Sequence, residues 1–293
     1  MELAQPAILA EETSLARYIT FAITDAENIP SVLQKLADTV DITKHAIGIG
    51  QNVIQSLDTE IPGLRYMPAL AAGEIEVPTT ADDLWIWLRG DDRGKLFHLS
   101  LALEEICHPA FELTSAIDSF QYDKNRDLSG YEDGTENPEG DDAVNAAIVK
   151  NDIDGLNGSS FVAVQQWIHD FEILDEMSTE EKDDAIGRHI SNNEEYDAPK
   201  SAHVKRSAQE DFEPEAFMLR RSMPWAVGMD GGLMFVAFGH SFDAFEAIME
   251  RMMGEDDGIL DAIFKFTVPI TGAYFWCPPV KGGKLDLTAL NLG

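Results

Sequence analysis

Apolar and polar residues alternate along Arg17–Thr24 (RYITFAIT), placing Ile19, Phe21 and Ile23 on one side, the pattern of a half-buried strand. Pro30 then opens PSVLQKLADTV, where Val32, Leu33, Leu36 and Val40 recur at helical spacing. A short strand follows at 45–51. LWIWLRG (84–90), apolar on both faces, reads as a central strand. Gly94 begins a second helical run to about Ile106, and 111–122 reads as another strand. The second half repeats this rhythm. Ser159–Ile168 is a strand, and a Ser-Thr-Glu-Glu capping box starts a helix at Ser178. After a charged, loop-rich stretch from about 188 to 215, FMLRRSMPW (217–225) and GLMFVAFG (232–239) predict two strands joined by a turn around Gly228–Gly231. In 241–254, Phe242, Phe245, Ile248, Met249 and Met252 form one apolar stripe, read as core packing. The segment 264–276 supplies a closing strand, with Pro269 marking an edge or bulge.

Two successive β-α-β-β-α-β units predict an α+β protein: two tandem ferredoxin-like domains, with antiparallel sheets in a barrel-like arrangement and peripheral helices. A doubly wound parallel sheet is the competing arrangement. The hairpin-like pair at 217–239 argues against it, because parallel neighbours need a long crossover. The boundary is expected within 134–158, dividing the chain into 1–145 and 146–293.

Charge narrows the range of partners. The 293 residues include 21 Lys+Arg against 53 Asp+Glu, a formal net charge of −32, which repels phosphate surfaces. Nucleic acid and an anionic membrane are therefore excluded as main partners. No window approaches 18 consecutive apolar residues, and the N-terminal segment lacks a basic n-region. Two cysteines without CxxC spacing, Cys107 and Cys277, allow no disulfide framework and fit a reducing cytoplasm. Five of the 21 basic residues (Lys200, Lys205, Arg206, Arg220 and Arg221) fall within 22 positions. That concentration departs from the acidic trend of the rest of the chain.

The most distinctive stretch is GYEDGTENPEGDD (130–142), a loop by its Asp-Gly and Asn-Pro turn formers. Just before it, Asp123, Asn125, Asp127 and Ser129 have the 1, 3, 5 and 7 spacing of a calcium loop. Leu128 stands where Gly is needed and Gly134 where a bidentate Glu is needed, so calcium is rejected.

GYEDGTENP (130–138) resembles the GxxDGTxNP signature of the dye-decolourising peroxidases, haem enzymes built of two ferredoxin-like domains. Further elements follow in order. SAHVKRSA (201–208) resembles the family's haem-ligating segment and MLRRSMPW (218–225) its distal-arginine strand, while 260–279 resembles the closing segment of the bacterial cytoplasmic members. The resemblance implies one haem b per chain, held in the C-terminal domain. The activity it implies is reduction of hydrogen peroxide with oxidation of dyes, phenolic compounds or other small electron donors. It also implies a homo-oligomer, dimer or larger. The C-terminal KLDLTALNLG is a candidate docking tail for an encapsulating shell protein. Alternative functions are haem handling (porphyrinogen oxidation or iron release) and a non-catalytic haem carrier or sensor.

Residue by residue, the resemblance makes His203 the axial iron ligand and Asp261 the carboxylate that receives its other N–H, with Asp256 and Asp257 as fallbacks. Asp133 is the acid–base group for peroxide, and a carboxylate base predicts an acid-side optimum. Arg220 is the fixed cation beside the O–O bond, with Arg221 the adjacent alternative on the opposite face of a strand. Ser222 shares the face of Arg220. Arg206 is the expected propionate partner, and Glu132, Gly134 and Thr135 approach the haem edge. Apolar side chains from Leu233–Phe238 and Phe275 are expected to wall the pocket. Trp85, Trp87, Trp167, Trp225, Trp276 and the tyrosines are open candidates for electron relay.

Overall fold

The computed structural model describes residues 3–80 and 82–292. The first two residues of the N-terminal segment and the last of the tail lie outside the described residues. Ten strands form the main sheet: β1 (Leu15–Ile23), β2 (Ala46–Ile49), β3 (Leu84–Gly90), β4 (Phe111–Phe120), β5 (Ser160–His169), β6 (Leu219–Arg220), β7 (Met223–Val227), β8 (Asp230–Gly239), β9 (Thr267–Pro269) and β10 (Ala273–Cys277). Within the first half the strands lie in the order β2-β3-β1-β4, and within the second β10-β5-β8-β7. Every pair is antiparallel. Each half thus has ferredoxin-like strand order, as the doubled rhythm predicts.

The halves do not sit side by side as separate sheets. β4 meets β7 at Ser119 and Trp225, and β2 meets β10 at Ile49 and Trp276, so eight strands close into one barrel. Closure removes the free edges that each open sheet would expose.

Alternation sorts the side chains. Trp85 and Trp87 of β3 enter the barrel, while Leu84, Ile86 and Leu88 face the outer helices. Tyr18 stacks on both indoles at 6.5 and 6.4 Å, and Phe275 stacks on Trp85 at 6.0 Å. Phe275 is therefore barrel core and does not wall a pocket. Among the open relay candidates, Trp85, Trp87 and Trp225 belong to this interior.

The helices behave as their sequences dictate. In α1 (Ile29–Thr39), Ile29, Val32, Leu33 and Leu36 are buried on one side. Asp92 caps α2 (Arg93–Cys107) by accepting from the Lys95 N–H at 3.1 Å. Helix α3 (Gly140–Ala147) runs across the boundary expected at residue 145. The capping box forms at α4 (Thr179–Ile186), which ends on left-handed Gly187 at φ +95°. Two helices of the second half bear on the site, α5 (His203–Arg206) and α6 (Asp243–Met252).

Two expected strands are broken. The 217–225 strand divides into β6 and β7 around Arg221–Ser222, and 264–276 divides into a 3₁₀ turn, β9 and β10. Pro269 ends β9, which pairs with β5 outside the barrel, an edge position that tolerates a missing N–H. The C-terminal tail packs on the body with Leu285, Leu287 and Leu290 buried, and Lys284 pairs with Asp38 at 2.7 Å. No helix among the described residues is long and apolar enough to cross a membrane.

Candidate active-site cleft

A cleft with about 1530 Å³ of atom-free space, its open mouth included, lies on the outer face of the second half. One wall is sheet: Gln165, Trp167 and His169 of β5 with Leu233 and Phe235 of β8. The facing wall is α6, through Phe245, Ile248, Met249 and Met252. The stripe read as core packing is thus also a cleft wall. The alternation of β8 explains why Leu233 and Phe235 line the cleft while Met234, Val236 and Phe238 enter the barrel.

His203, at the start of α5, lines this cleft. Its Nδ1 lies 2.8 Å from Oδ2 of Asp261, whose side chain is fully buried. The other carboxylate oxygen accepts from the Ile263 N–H at 3.0 Å and caps the 3₁₀ turn Ala262–Lys265. With Nδ1–H given to Asp261, Nε2 carries a lone pair, and it has no hydrogen-bond partner among the described residues. Asp256 and Asp257 are not its partners.

The loop 122–138 brings the acidic signature to the same cleft, through Glu132, Asp133, Gly134 and Thr135. Gly134 adopts φ +73°, where a side chain would be strained. Asn125 clasps Asp133: its carbonyl accepts the Asp133 N–H at 2.9 Å and its amide donates to the Asp133 carbonyl at 3.3 Å. Asn137 then closes the far end. It accepts from the Arg220 N–H and donates to the Arg220 carbonyl, both at 2.9 Å. Asp133 Oδ1 consequently stands 3.9 Å from Arg220 Nη1. The Arg220 guanidinium makes no hydrogen bond among the described residues, and its Nε is buried without a partner. A largely desolvated cation with open donors is costly unless something binds it.

Several expected residues are not brought to the cleft. Arg206 does not line it; its side chain is only 6% exposed and is held by Asp256, Asp257 and the Arg251 carbonyl. Those partners lie about 50 positions along the chain, beyond the neighbourhood that suggested a propionate partner. Ser222 is also displaced. The break after β6 turns it inward, and its hydroxyl accepts from the Val236 N–H at 3.3 Å. Arg221 points toward the N-terminal segment, donating to the Ile8 carbonyl at 3.3 Å.

Other residues take part without having been read from the sequence. Asn137 lay in the signature but had no assigned role. Arg188 lines the cleft mouth, bound to Glu136 at 2.8 Å and Glu195 at 3.2 Å, and nothing local in the sequence marks it. Tyr131 donates to the buried Asp183 at 2.6 Å, and burial followed by that bond pushes its phenol up. Asp127, one of the rejected calcium positions, is bound to His169. Burial raises the Glu12 carboxyl; Asp133 adds to the rise, while Arg221 and Arg89 oppose it.

Chemically, the cleft offers one imidazole nitrogen, one open guanidinium and one adjacent carboxylate within apolar walls. No cluster of three or more His, Cys, Asp or Glu ligands exists among the described residues. A metal bound through His203 would therefore have to arrive already chelated.

Known proteins resemble this chain in sequence and in fold. The family described as Dyp-type peroxidase, C-terminal, matches residues 124–282. A dye-decolorizing peroxidase of Mycolicibacterium paratuberculosis is 29% identical over 69% of this chain, and the match spans 59% of that relative's length. One from Mycobacterium tuberculosis is 28% identical over 93% of this chain and 88% of its own. A dyp-type protein from Shewanella oneidensis superposes with a TM-score of 0.86 at 28% identity, covering 99% of this chain and 97% of that one. A single-residue variant of Rhodococcus jostii DypB, a structure in complex with heme, shares the fold with a TM-score of 0.88 at 22% identity, covering 98% of each chain.

Proposed function

The chain belongs to the Dyp-type peroxidase family, and from that premise we propose that it is a haem b peroxidase that reduces hydrogen peroxide and oxidises small electron donors, dyes and phenols among them. The residues of the cleft fit a haem. A single imidazole with a free Nε2 suits an iron whose other ligands come from a macrocycle, and apolar walls suit its faces. When bound, the haem supplies the redox-active iron that draws oxidising equivalents from peroxide.

His203 holds that iron through Nε2. Asp261 fixes the tautomer and makes the imidazole a stronger donor. Asp133 accepts a proton from the attacking oxygen of hydrogen peroxide and returns it to the departing one. Arg220, with open donors, stabilises the negative charge that develops as the O–O bond lengthens. Glu132, Gly134 and Thr135, which line the cleft, would border the ring. Arg188 takes over the propionate role, since it lines the cleft and Arg206 does not.

The observation that carries this reading is the uncommitted Arg220 guanidinium beside Asp133, in the same cleft as His203. A carrier would need no such pair. Two buried free cysteines support a cytoplasmic location, and the exposed Phe97, Leu101 and Leu113 support a homo-oligomer. Haemin titration followed by stopped-flow mixing with stoichiometric peroxide tests the function. A Soret band that His203→Ala abolishes, and that peroxide shifts rapidly in the wild type, is expected. A normal band in His203→Ala would refute the ligand, and a Soret band inert to peroxide would refute the activity.

A further inference from the structure

The cleft contains a second imidazole that the proposed chemistry leaves unused. His169 ends β5, its side chain 4% exposed, with the rings of Phe171 and Phe266 edge-on to it at 5.9 and 6.4 Å. Both ring nitrogens are engaged. Nδ1 lies 2.7 Å from the Thr267 hydroxyl, which is also 3.0 Å from the Ile168 carbonyl. The hydroxyl can turn its one proton to either of these neighbours, so Thr267 holds Nδ1 in either protonation state. Nε2 faces both oxygens of Asp127, at 2.9 and 3.0 Å. Oδ2 of Asp127 also accepts from the Ser129 N–H at 2.9 Å, the pattern of an ionised carboxylate. Burial raises the Asp127 carboxyl, but the hydrogen bond and charge of His169, with Ser129, outweigh it and hold it below the usual range. An ionised carboxylate facing Nε2 requires the proton on that nitrogen.

This pair is joined to the reacting carboxylate by a short path. Asp127 is two residues from Asn125, and Asn125 clasps Asp133 through both its backbone and its amide. The path runs from a barrel strand through the His169–Asp127 hydrogen bonds to the Asp133 peptide. We propose that His169, held between Thr267 and Asp127, is the positioning residue that fixes the Asp133 loop to the barrel. The site's chemistry rests on the peroxidase reading; the tie between His169 and Asp127 does not.

The first test uses the cofactor-free chain labelled with ¹⁵N-histidine. Nε2 of His169 should carry a proton coupled to Asp127, and a bare Nε2 would overturn the proposal whatever the cofactor. The second test uses the haemin-loaded protein. His169→Phe should take up haemin normally yet react with peroxide on the order of 100-fold more slowly, the scale of a small misplacement. His169→Gln, which keeps an N–H for the Asp127 carboxylate, should restore most of the rate. A wild-type rate in His169→Phe would overturn the positioning role. If that variant does not fold, Asp127→Asn decides, with a loss of about tenfold expected because a neutral amide is a weaker acceptor than the carboxylate, and an unchanged rate counting against the proposal.

Discussion

Replacing Asp261 by Asn changes one atom and sets two donors competing for a single oxygen. In the native protein the two carboxylate oxygens divide the work, one accepting from His203 Nδ1–H at 2.8 Å and the other from the Ile263 N–H at 3.0 Å. An asparagine can keep its oxygen on only one of them. If the oxygen stays on Ile263, the amide NH₂ faces Nδ1–H, donor against donor, in a place with no water access. An unsatisfied buried donor costs about 1–3 kcal/mol. The imidazole escapes that cost by moving its proton to Nε2, which removes the lone pair from the cleft. If the oxygen instead turns to His203, the cap of the 3₁₀ turn is lost, at about 1 kcal/mol. Loss of such a supporting carboxylate lowers metal affinity by about 10–100-fold. Haemin titration of Asp261→Asn should show a loss in that range, with a circular dichroism spectrum like that of the wild type. Wild-type affinity together with an unchanged resting spectrum would show that Asp261 does not set the tautomer of His203.

The remaining expectations concern contacts the fold creates. Arg220→Leu should load haemin normally but slow its reaction with peroxide by roughly 100–1000-fold, measured by stopped-flow absorbance; Arg206→Ala should lower the melting temperature and leave that rate unchanged, because Arg206 is bound to Asp256 and Asp257. Asn137→Ala removes both bonds to the Arg220 backbone, and denaturant unfolding should report a loss of about 1–3 kcal/mol. Asp127 and Asp183 are both held below the usual carboxylate range, since hydrogen bonds outweigh their burial. Their stabilisation is therefore complete above about pH 4, near the unfolded value, and lost as pH falls through the lower folded values, which thermal melts across pH ~2–6 should show. Burial pushes the Cys107 thiol up to about 12 and the Cys277 thiol also upward, so a thiol reagent should label neither until denaturant is added.

Much of the fold was legible because it depends on local pattern. Strand alternation at Arg17–Thr24, helical spacing after Pro30 and the capping box at Ser178 all act within a few residues, and all three elements form. The doubled order of elements led to the ferredoxin-like strand order of each half. Less legible was the break at Arg221–Ser222, since FMLRRSMPW keeps strand-like residues throughout and only the meeting with β8 reveals two short strands. Ser222 was placed on the face of Arg220 for that reason.

The sequence by itself determined the elements, the acidic exterior, and the order of Asp133, His203, Arg220 and Asp261 along the chain. Tertiary structure decided which of the charged residues remain open. Arg206 and Arg220 are alike in composition and neighbourhood, yet one meets Asp256 and Asp257, about 50 positions away, while the other meets only the loose contact with Asp133. Whether a guanidinium is satisfied depends on which carboxylates the folded chain brings within hydrogen-bond reach. Hydrophobic periodicity carries no information about that, because it records the face a residue takes and not the partner it meets. Barrel closure is of the same kind: single bridges at Ser119–Trp225 and Ile49–Trp276 join strands more than 100 positions apart and make one body of two repeating halves.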